Sequence, residues 1–390
     1  MKISPEIRDS IELRFSEIAR EMNAKGERII SLGLGEPSFP TPSAIIKATH
    51  QAMLDGMTRY SNPLGLPSLC RRIAEKLETE NKIEAMAQEI IVTPGAKMAL
   101  SLALSALLRP GDEIINITPC YPSYVSQIKI AEPNCVLHNV DLHKHDLSLD
   151  VNEVAAVLNE RTRVMLINFP HNPTGRMLSA KELDTIANLL VDHDCYIISD
   201  EIYEQLNHSG ARHQSLAARP ELRSRVLTIN GFSKAYSMTG WRIGYMHVPD
   251  PAVMKIVSRL QQHLNTNTAA FIQVGALVAM DLPMDFLVDY NSRLAINNTA
   301  LGQAVADTPG LQFTPSEGGL FGFLDISGTG LSSDSFASGF LESHGVALTP
   351  GQVFSQSWDD HVRISLATDC DSFNEGMVLL RTYVRELACK

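Results

Sequence analysis

Features that mark membrane and nucleic-acid-binding proteins are missing from the 390-residue sequence. Its most apolar segments, residues 98–108 and 269–280, are too short and too interrupted to cross a bilayer. It has no run of basic residues, and 33 Lys and Arg against 44 Asp and Glu leave a net charge of −11. Because a protein that binds the phosphate backbone of nucleic acid needs a basic face, we expect neither a membrane nor a nucleic-acid partner.

The sequence also lacks closely spaced cysteines. Its six cysteines are scattered and include no Cys-x-x-Cys pair, which in a chain of this length predicts reduced and mostly buried thiols. Residues 1–6 lack the apolar stretch of a signal peptide. We therefore expect a cytoplasmic protein without disulfides, and we assign no metal ligands.

From residue 41 to residue 284 the chain alternates strand-like and helix-like segments. Thr41 and Pro42 are typical of a helix start, and Gly56 of a helix end. The strand candidates are 89–93, 113–118, 164–168, 195–199, 226–230 and 243–248. The helix candidates include 96–108, 179–192 and 250–264. Apolar strands separated by helices predict an α/β fold, with a mainly parallel sheet flanked by helices on both faces.

The pattern changes near residue 285. A long helix-like segment, 285–307, precedes strand candidates at 320–326 and 361–366. This order favours a smaller α+β domain. We therefore predict a large domain over 41–284 and a small domain formed by 1–40 together with 285–390.

Chemically distinctive residues follow three of the predicted strands. Asn168–Gly175 contains Asn172, Asp200–Tyr203 follows the next strand, and Gly231–Lys234 follows a third. Ligands of open α/β sheets bind beyond the carboxyl ends of the strands. The sequence thus predicts that an Asn, an Asp, a Tyr and a Lys meet in one crevice.

These residue types match the needs of pyridoxal 5′-phosphate (PLP). Lys234 can form an imine with the cofactor aldehyde, and a buried Asp200 can keep the pyridine nitrogen protonated. Asn172 and Tyr203 carry hydrogen-bond donors for the ring oxygen. Each residue alone has an ordinary explanation, such as a solvated loop lysine, a plain turn or a helix cap. Only their joint occurrence at strand ends favours a cofactor site.

A phosphate site is expected at a helix start. The segment 94–97, with Ala96 and Lys97, opens a helix directly after a strand and so presents unpaired backbone amides. Arg242, eight positions after Lys234, can add a forked cation.

The stretch 231–244 carries a family resemblance. Its sequence, Gly-Phe-Ser-Lys-Ala-Tyr-Ser-Met-Thr-Gly-Trp-Arg-Ile-Gly, resembles the PLP-attachment signature of class I aminotransferases, the aspartate-aminotransferase-like enzymes of fold type I. Similar family segments are 33–42, 58–67, 118–124 and 362–365. Two positions depart from common patterns: Gly231 stands where a hydroxyl residue often contacts the phosphate, and Tyr121 where many relatives have Trp.

The resemblance implies a role for each matching residue. Lys234 would be the Schiff-base lysine and would move the proton between the substrate α-carbon and the cofactor. The catalytic set would be Lys234, Asp200 and Tyr203. The residues implied to bind the cofactor are Ala96, Lys97, Tyr121, Asn172, Asp200, Tyr203, Ser233, Lys234, Arg242 and, from the second subunit of a homodimer, Tyr60. Those implied to bind the substrate carboxylate are Gly35, Asn172 and Arg363.

The expected reaction is the exchange of an amino group between an L-amino acid and a 2-oxo acid, of the aspartate/2-oxoglutarate type or with broad specificity. A PLP-dependent Cys–S β-lyase is the alternative, because the same fold serves both reactions. A PLP-sensing regulator would need an added basic DNA-binding segment, which the sequence does not have. A dinucleotide-binding dehydrogenase would need Gly-x-Gly-x-x-Gly after its first strand, and no segment fits.

Overall fold

The computed structural model describes residue 26 and residues 28–389. The expectations for residues 1–25, 27 and 390, including the absence of a signal peptide and the N-terminal part of the small domain, lie outside the described residues. The strands are β1 (Ile30–Ser31), β2 (Ile90–Thr93), β3 (Glu113–Thr118), β4 (Val136–Asp141), β5 (Thr162–Asn168), β6 (Tyr196–Asp200), β7 (Val226–Gly231), β8 (Gly244–His247), β9 (Gln312–Phe313), β10 (Phe321–Asp325), β11 (Val346–Ala347), β12 (Thr349–Pro350) and β13 (His361–Ser365).

Helices separate most of these strands. They are α1 (Ser43–Leu54), α2 (Pro67–Thr79), α3 (Ala96–Leu107), α4 (Ser123–Ala131), α5 (Val151–Val157), α6 (Ala180–Leu190), α7 (Pro251–Leu264), α8 (Ala270–Met280), α9 (Asp285–Ala306), α10 (Ser333–His344) and α11 (Cys370–Ala388). Single turns of 3-10 helix lie at Ala87–Glu89, Leu216–Ala218, Arg223–Arg225, Ser327–Thr329, Gly351–Val353 and Gln356–Trp358.

A seven-stranded sheet forms the centre of the fold, in the order β2-β8-β7-β6-β5-β3-β4. The strands from β7 to β4 are parallel, and β8 runs antiparallel to both of its neighbours. Successive residues of a strand point to opposite faces. In β6, Ile197 belongs to one hydrophobic cluster and Ile198 to another. Both faces are therefore buried, and the expected α/β class with a mainly parallel sheet is confirmed.

A second sheet is built from the last third of the chain. It has four antiparallel strands in the order β12-β13-β10-β9. A separate hydrophobic cluster contains residues of these strands and of α9, α10 and α11. The short β1 pairs in parallel with β11, so the described N-terminal segment is joined to this part of the molecule.

The predicted start of α1 is wrong, and its predicted end is right. Pro42, not Thr41, is the residue before α1, and no side chain caps this helix start. The Thr41 hydroxyl instead donates to the carbonyl of Ser237 at 2.6 Å. Gly56, with φ +81°, follows the end of α1 as expected.

Among the described residues, no single helix is both long and apolar enough to span a membrane. Taken together, α8 and α9 meet that length and composition, but their axes are bent by 80° at the break between them.

Candidate active site

The carboxyl ends of β5, β6 and β7 open into a cavity of about 680 Å³. Because parallel strands end at the same edge of a sheet, the segments after them converge there. Eleven of the twelve residues predicted for the site line this cavity. They are Gly35, Ala96, Lys97, Tyr121, Asn172, Asp200, Tyr203, Ser233, Lys234, Arg242 and Arg363.

Tyr60 is the exception. Its side chain is 87% exposed, and it is not among the residues that line the cavity of this chain. The structure of the single chain therefore does not bring Tyr60 to the site.

Asp200 ends β6 as a buried carboxylate, with only 8% of the residue exposed. Its Oδ2 accepts a hydrogen bond of 2.7 Å from the Tyr124 hydroxyl, and its Oδ1 one of 3.2 Å from the backbone N–H of Ile202. Burial raises the pKa of the Asp200 carboxyl to about 6, although both hydrogen bonds lower it in part. A buried carboxylate of this kind favours a cationic group opposite it, as a protonated pyridine nitrogen would be.

Lys234 lies three residues beyond the end of β7. Its Nζ donates to the carbonyl of Gly35 at 2.6 Å and lies 5.7 Å from the centre of the Tyr203 ring. The amine thus points into the cavity between the N-terminal segment and the residues that follow β6.

Arg363 is a fully buried arginine in β13. Its guanidinium lies 4.0 Å from the ring centre of Phe321 and 4.9 Å from that of Phe354. Nη1 donates to Oδ1 of Asn172 at 3.0 Å, and Nη2 donates to the carbonyl of Gly33 at 2.9 Å. These contacts fix a planar cation at the cavity wall, which is the geometry that a carboxylate requires for two parallel hydrogen bonds.

The start of α3 forms a cradle with Arg242. Gly95, at φ +85°, precedes α3, and a Cβ added there would lie 2.5 Å from Nη2 of Arg242. A Cβ on Gly244 would lie 2.6 Å from the backbone nitrogen of Ala96. The first amides of a helix have no acceptor within the helix, so these amides and the guanidinium are groups that could hold a phosphate. Arg242 itself has φ 55°, an uncommon conformation for a residue with a side chain.

Two tyrosines form another wall of the cavity. The rings of Tyr121 and Tyr124 contact edge to face, with their centres 5.5 Å apart. The ammonium of Lys97 lies 5.3 Å from the centre of the Tyr121 ring. The face of Tyr121 is therefore next to the proposed phosphate end, while Tyr124 reaches Asp200.

Sequence reasoning missed Tyr124, Phe321 and the part that Asn168 plays. The side chain of Asn168 donates to the carbonyl of Asp200 at 2.8 Å and accepts from the N–H of Asn172 at 3.0 Å, so it joins two of the strand ends. No local signal marks Tyr124: it lies in the first turn of α4 whereas Tyr121 lies before that helix, so helical spacing does not relate the two residues.

Known proteins resemble this chain over most of its length. The sequence pattern of the family aminotransferase class I and II matches residues 27–375. An aspartate aminotransferase from Musicola paradisiaca is 38% identical over 357 residues, which cover 89% of this chain and 87% of the relative. An arginine–pyruvate transaminase from Pseudomonas aeruginosa is 33% identical over 352 residues, which cover 90% and 89%. The solved structure of Thermus thermophilus aspartate aminotransferase with maleate has a TM-score of 0.92 at 30% identity, and the match covers 98% of this chain and 99% of that one.

Proposed function

The chain belongs to the aminotransferase class I and II family and is a PLP-dependent aminotransferase, and from this premise we propose how its site works. The proposal covers the roles of the site residues, the substrates and the assembly of the enzyme, which exchanges amino groups between L-amino acids and 2-oxo acids. The observation that carries the proposal is the convergence of one lysine amine, one buried carboxylate and one buried arginine on a single cavity. When bound, PLP supplies a conjugated ring that takes up the electrons of a bond at the substrate α-carbon.

Lys234 holds the cofactor and handles the proton. Its amine would hold the cofactor at the aldehyde and, when released, would be the base that accepts the proton of the substrate α-carbon. The carbonyl of Gly35, 2.6 Å from Nζ, supports the orientation of the amine.

Asp200, Asn172 and Tyr203 act on the cofactor ring. Asp200 pairs with the ring nitrogen and keeps it protonated. Because Oδ1 of Asn172 accepts from Arg363, the amide nitrogen of Asn172 is the group left to donate to the ring oxygen, together with the Tyr203 hydroxyl. Tyr121 stacks on the ring.

The cofactor phosphate binds at the start of α3. The amides of Ala96 and Lys97, the Ser233 hydroxyl and the Arg242 guanidinium hold its oxygens, with Tyr60 of the partner subunit as a further donor. Support comes from the close approach of Arg242 to Gly95.

Arg363 binds the α-carboxylate of the substrate, assisted by Asn172 and the backbone of Gly35. Four cations and two carboxylates line the cavity: Lys97, Lys234, Arg242 and Arg363 against Glu36 and Asp200. Lys234 and Arg242 are assigned to PLP and Lys97 lies at its phosphate end, so Arg363 is the cation of this set that is left for the substrate, and it pairs with one carboxylate. From the name of the Musicola relative we propose aspartate and 2-oxoglutarate as the preferred pair.

The enzyme is proposed to act in the cytoplasm as a homodimer with shared active sites. The four buried cysteines are all reduced, which suits a reducing compartment. The large exposed side chain of Tyr60 is available to a second copy.

The chain is further proposed to divide into a large domain over 41–284 and a small domain of 1–40 with 285–390. The seven-stranded sheet falls within the first range and the four-stranded sheet within the second, and the pairing of β1 with β11 favours placing the N-terminal segment with the small domain.

The β-lyase alternative is not favoured, since the relatives compared are named as aminotransferases or transaminases.

A panel of amino donors assayed with 2-oxoglutarate tests the proposed substrates. The panel compares aspartate with alanine, an aromatic amino acid and arginine as donors. Aspartate should give the highest kcat/KM. If arginine or an aromatic donor gives the highest kcat/KM, the proposed pair is wrong.

Lys234→Ala should lose turnover, and borohydride should no longer fix PLP to the chain. A variant that keeps either property would remove Lys234 from its role.

A further inference from the structure

Tyr124 contacts the one carboxylate that is assigned to the cofactor ring. It lies in the first turn of α4, and only 3% of the residue is exposed. Its hydroxyl donates to Oδ2 of Asp200 at 2.7 Å, across 76 residues of sequence. The second oxygen of the carboxylate accepts from the Ile202 N–H, so the carboxylate is held on both sides.

The direction of this hydrogen bond is settled by the environment of the tyrosine. Burial, followed by the negative charge of Asp200, raises the pKa of the Tyr124 hydroxyl well above its ordinary value. The hydroxyl therefore keeps its proton throughout the neutral range and acts as a donor. A donor stabilises the ionised form of the carboxyl more than its protonated form.

Other titratable groups face this pair. The neighbouring Glu201 raises the pKa of Asp200, while Lys234 lowers it. Tyr203 and Cys120 lie close enough to Tyr124 to raise its pKa. Burial and Glu201 thus favour protonation of Asp200. The hydrogen bond from Tyr124 lowers the pKa of Asp200 more than the charge of Lys234 does.

We propose that Tyr124 is a positioning residue for transamination: its hydroxyl orients the Asp200 carboxylate toward the cofactor ring and keeps it in the ionised form that holds the ring nitrogen protonated. The inference rests on the proposed role of Asp200. Without the hydroxyl, the proton shared by Asp200 and the ring nitrogen shifts toward the carboxylate, and the ring withdraws electrons from the substrate less strongly.

Tyr124→Phe, which removes only the hydroxyl, tests the proposal. In the cofactor-free chain, an infrared titration of the Asp200 carboxyl, with Asp200→Asn as the blank, should give a midpoint above that of the wild type, because the hydrogen bond from Tyr124 lowers the pKa of Asp200. In the holoenzyme, nitrogen-15-labelled PLP should report a less protonated ring nitrogen. The kcat should fall roughly tenfold, as expected for the loss of a hydrogen bond to a charged group, with little change in KM.

Tyr196→Phe is the matched control. Tyr196 lies at the opposite end of β6, and its hydroxyl donates to Oδ2 of Asp250 at 2.6 Å. Each variant thus loses one tyrosine-to-aspartate hydrogen bond. The bond of Tyr124 is made at the Asp200 end of β6, and the bond of Tyr196 at the other end. Tyr196→Phe should leave the titration midpoint, the nitrogen signal and kcat as in the wild type.

A double-mutant cycle separates positioning from a general loss of structure. In an Asp200→Asn background, Tyr124→Phe should have little further effect on the ring-nitrogen signal, because the two residues act as a unit. If Tyr124→Phe leaves both the midpoint and the nitrogen signal unchanged, or if its effect is equally large without Asp200, the proposal is overturned. If Asp200→Asn itself leaves the nitrogen signal and kcat unchanged, the proposed role of Asp200 fails instead.

Discussion

At the scale of single residues, Asp200 shows that a functional group can oppose stability. An aspartate in water has a pKa of about 3.9, whereas burial raises the pKa of Asp200 to about 6. The folded state thus binds a proton more tightly than the unfolded state does. The favourable contribution of the protonated carboxyl is fully present below about pH 4 and is lost as the pH rises through about 6. Above that, an ionised Asp200 destabilises the cofactor-free fold.

Asp200→Asn should therefore stabilise the cofactor-free chain at neutral and alkaline pH. A difference of about two pKa units corresponds to roughly 3 kcal/mol of unfolding free energy at pH 8. Below about pH 4 the variant and the wild type should be equally stable. Denaturant unfolding at pH 4, 6 and 8 measures the difference. If the gap between the two proteins does not change with pH, the buried carboxyl does not titrate as described.

Many site residues could be predicted from the sequence, because strand ends and local motifs mark Asn172, Asp200 and Lys234. Tyr124 and Phe321 could not be assigned in the same way. Their positions depend on how α4 and β10 pack against the ends of other strands, and nothing in the neighbouring sequence encodes that packing. Arg363 was predicted only through the family resemblance, since an arginine in a strand is usually part of a structural ion pair.

At the scale of elements, the start of α3 depends on two close approaches. The guanidinium of Arg242 lies against Gly95, and the backbone of Gly244 lies against that of Ala96. Gly95 has a positive φ, and its missing side chain leaves the space that Arg242 fills. The proposed phosphate site is thus formed jointly by a helix start and by the segment before β8.

Gly95→Ala should displace the guanidinium of Arg242 and weaken PLP binding by roughly tenfold or more, as for the loss of charge-assisted hydrogen bonds. Gly111→Ala is the matched control, because Gly111 also has a positive φ of +89° but has open space where a Cβ would lie. Both variants should lose about 1–2 kcal/mol of stability from backbone strain. Equilibrium binding of PLP distinguishes them, and equal affinities in the two variants would contradict the cradle.

The sequence predicted the long elements well and the short ones poorly. Six strands of the central sheet were predicted to within about two residues, because they are apolar and flanked by helices. The edge strand β4 was missed because its residues Val-Leu-His-Asn-Val-Asp are largely exposed and mix polar with apolar side chains. The two-residue strands β1, β9, β11 and β12 carry too little pattern to be recognised, and tertiary contacts alone fix them.

At the scale of the whole molecule, the cavity of the single chain contains every predicted group except Tyr60. A residue that is 87% exposed in the single chain yet assigned to a phosphate site has a physical basis only if a second copy lies against it. The active site is then a property of the dimer.

Hybrid dimers test this arrangement. A hybrid of a Lys234→Ala chain with a Tyr60→Phe chain should regain one intact site, because the second chain keeps its lysine and receives Tyr60 from the first. A hybrid of the wild type with a chain that carries both substitutions should have no intact site. Specific activity of tagged, purified hybrids at limiting PLP measures both. If the second hybrid is the more active, Tyr60 serves its own protomer.

The hydrogen bond between Arg363 and the carbonyl of Gly33 joins residues 330 positions apart. All groups assigned to the cofactor, other than Tyr60 from the second copy, lie between Ala96 and Arg242. During synthesis from the amino end, the cradle for the vitamin is thus complete when more than a hundred residues are still to be added. The proposed carboxylate site forms only when Arg363 in β13 reaches the carbonyl of Gly33 near the amino end. A ribosome-bound intermediate is therefore expected to bind its coenzyme before it can bind a substrate.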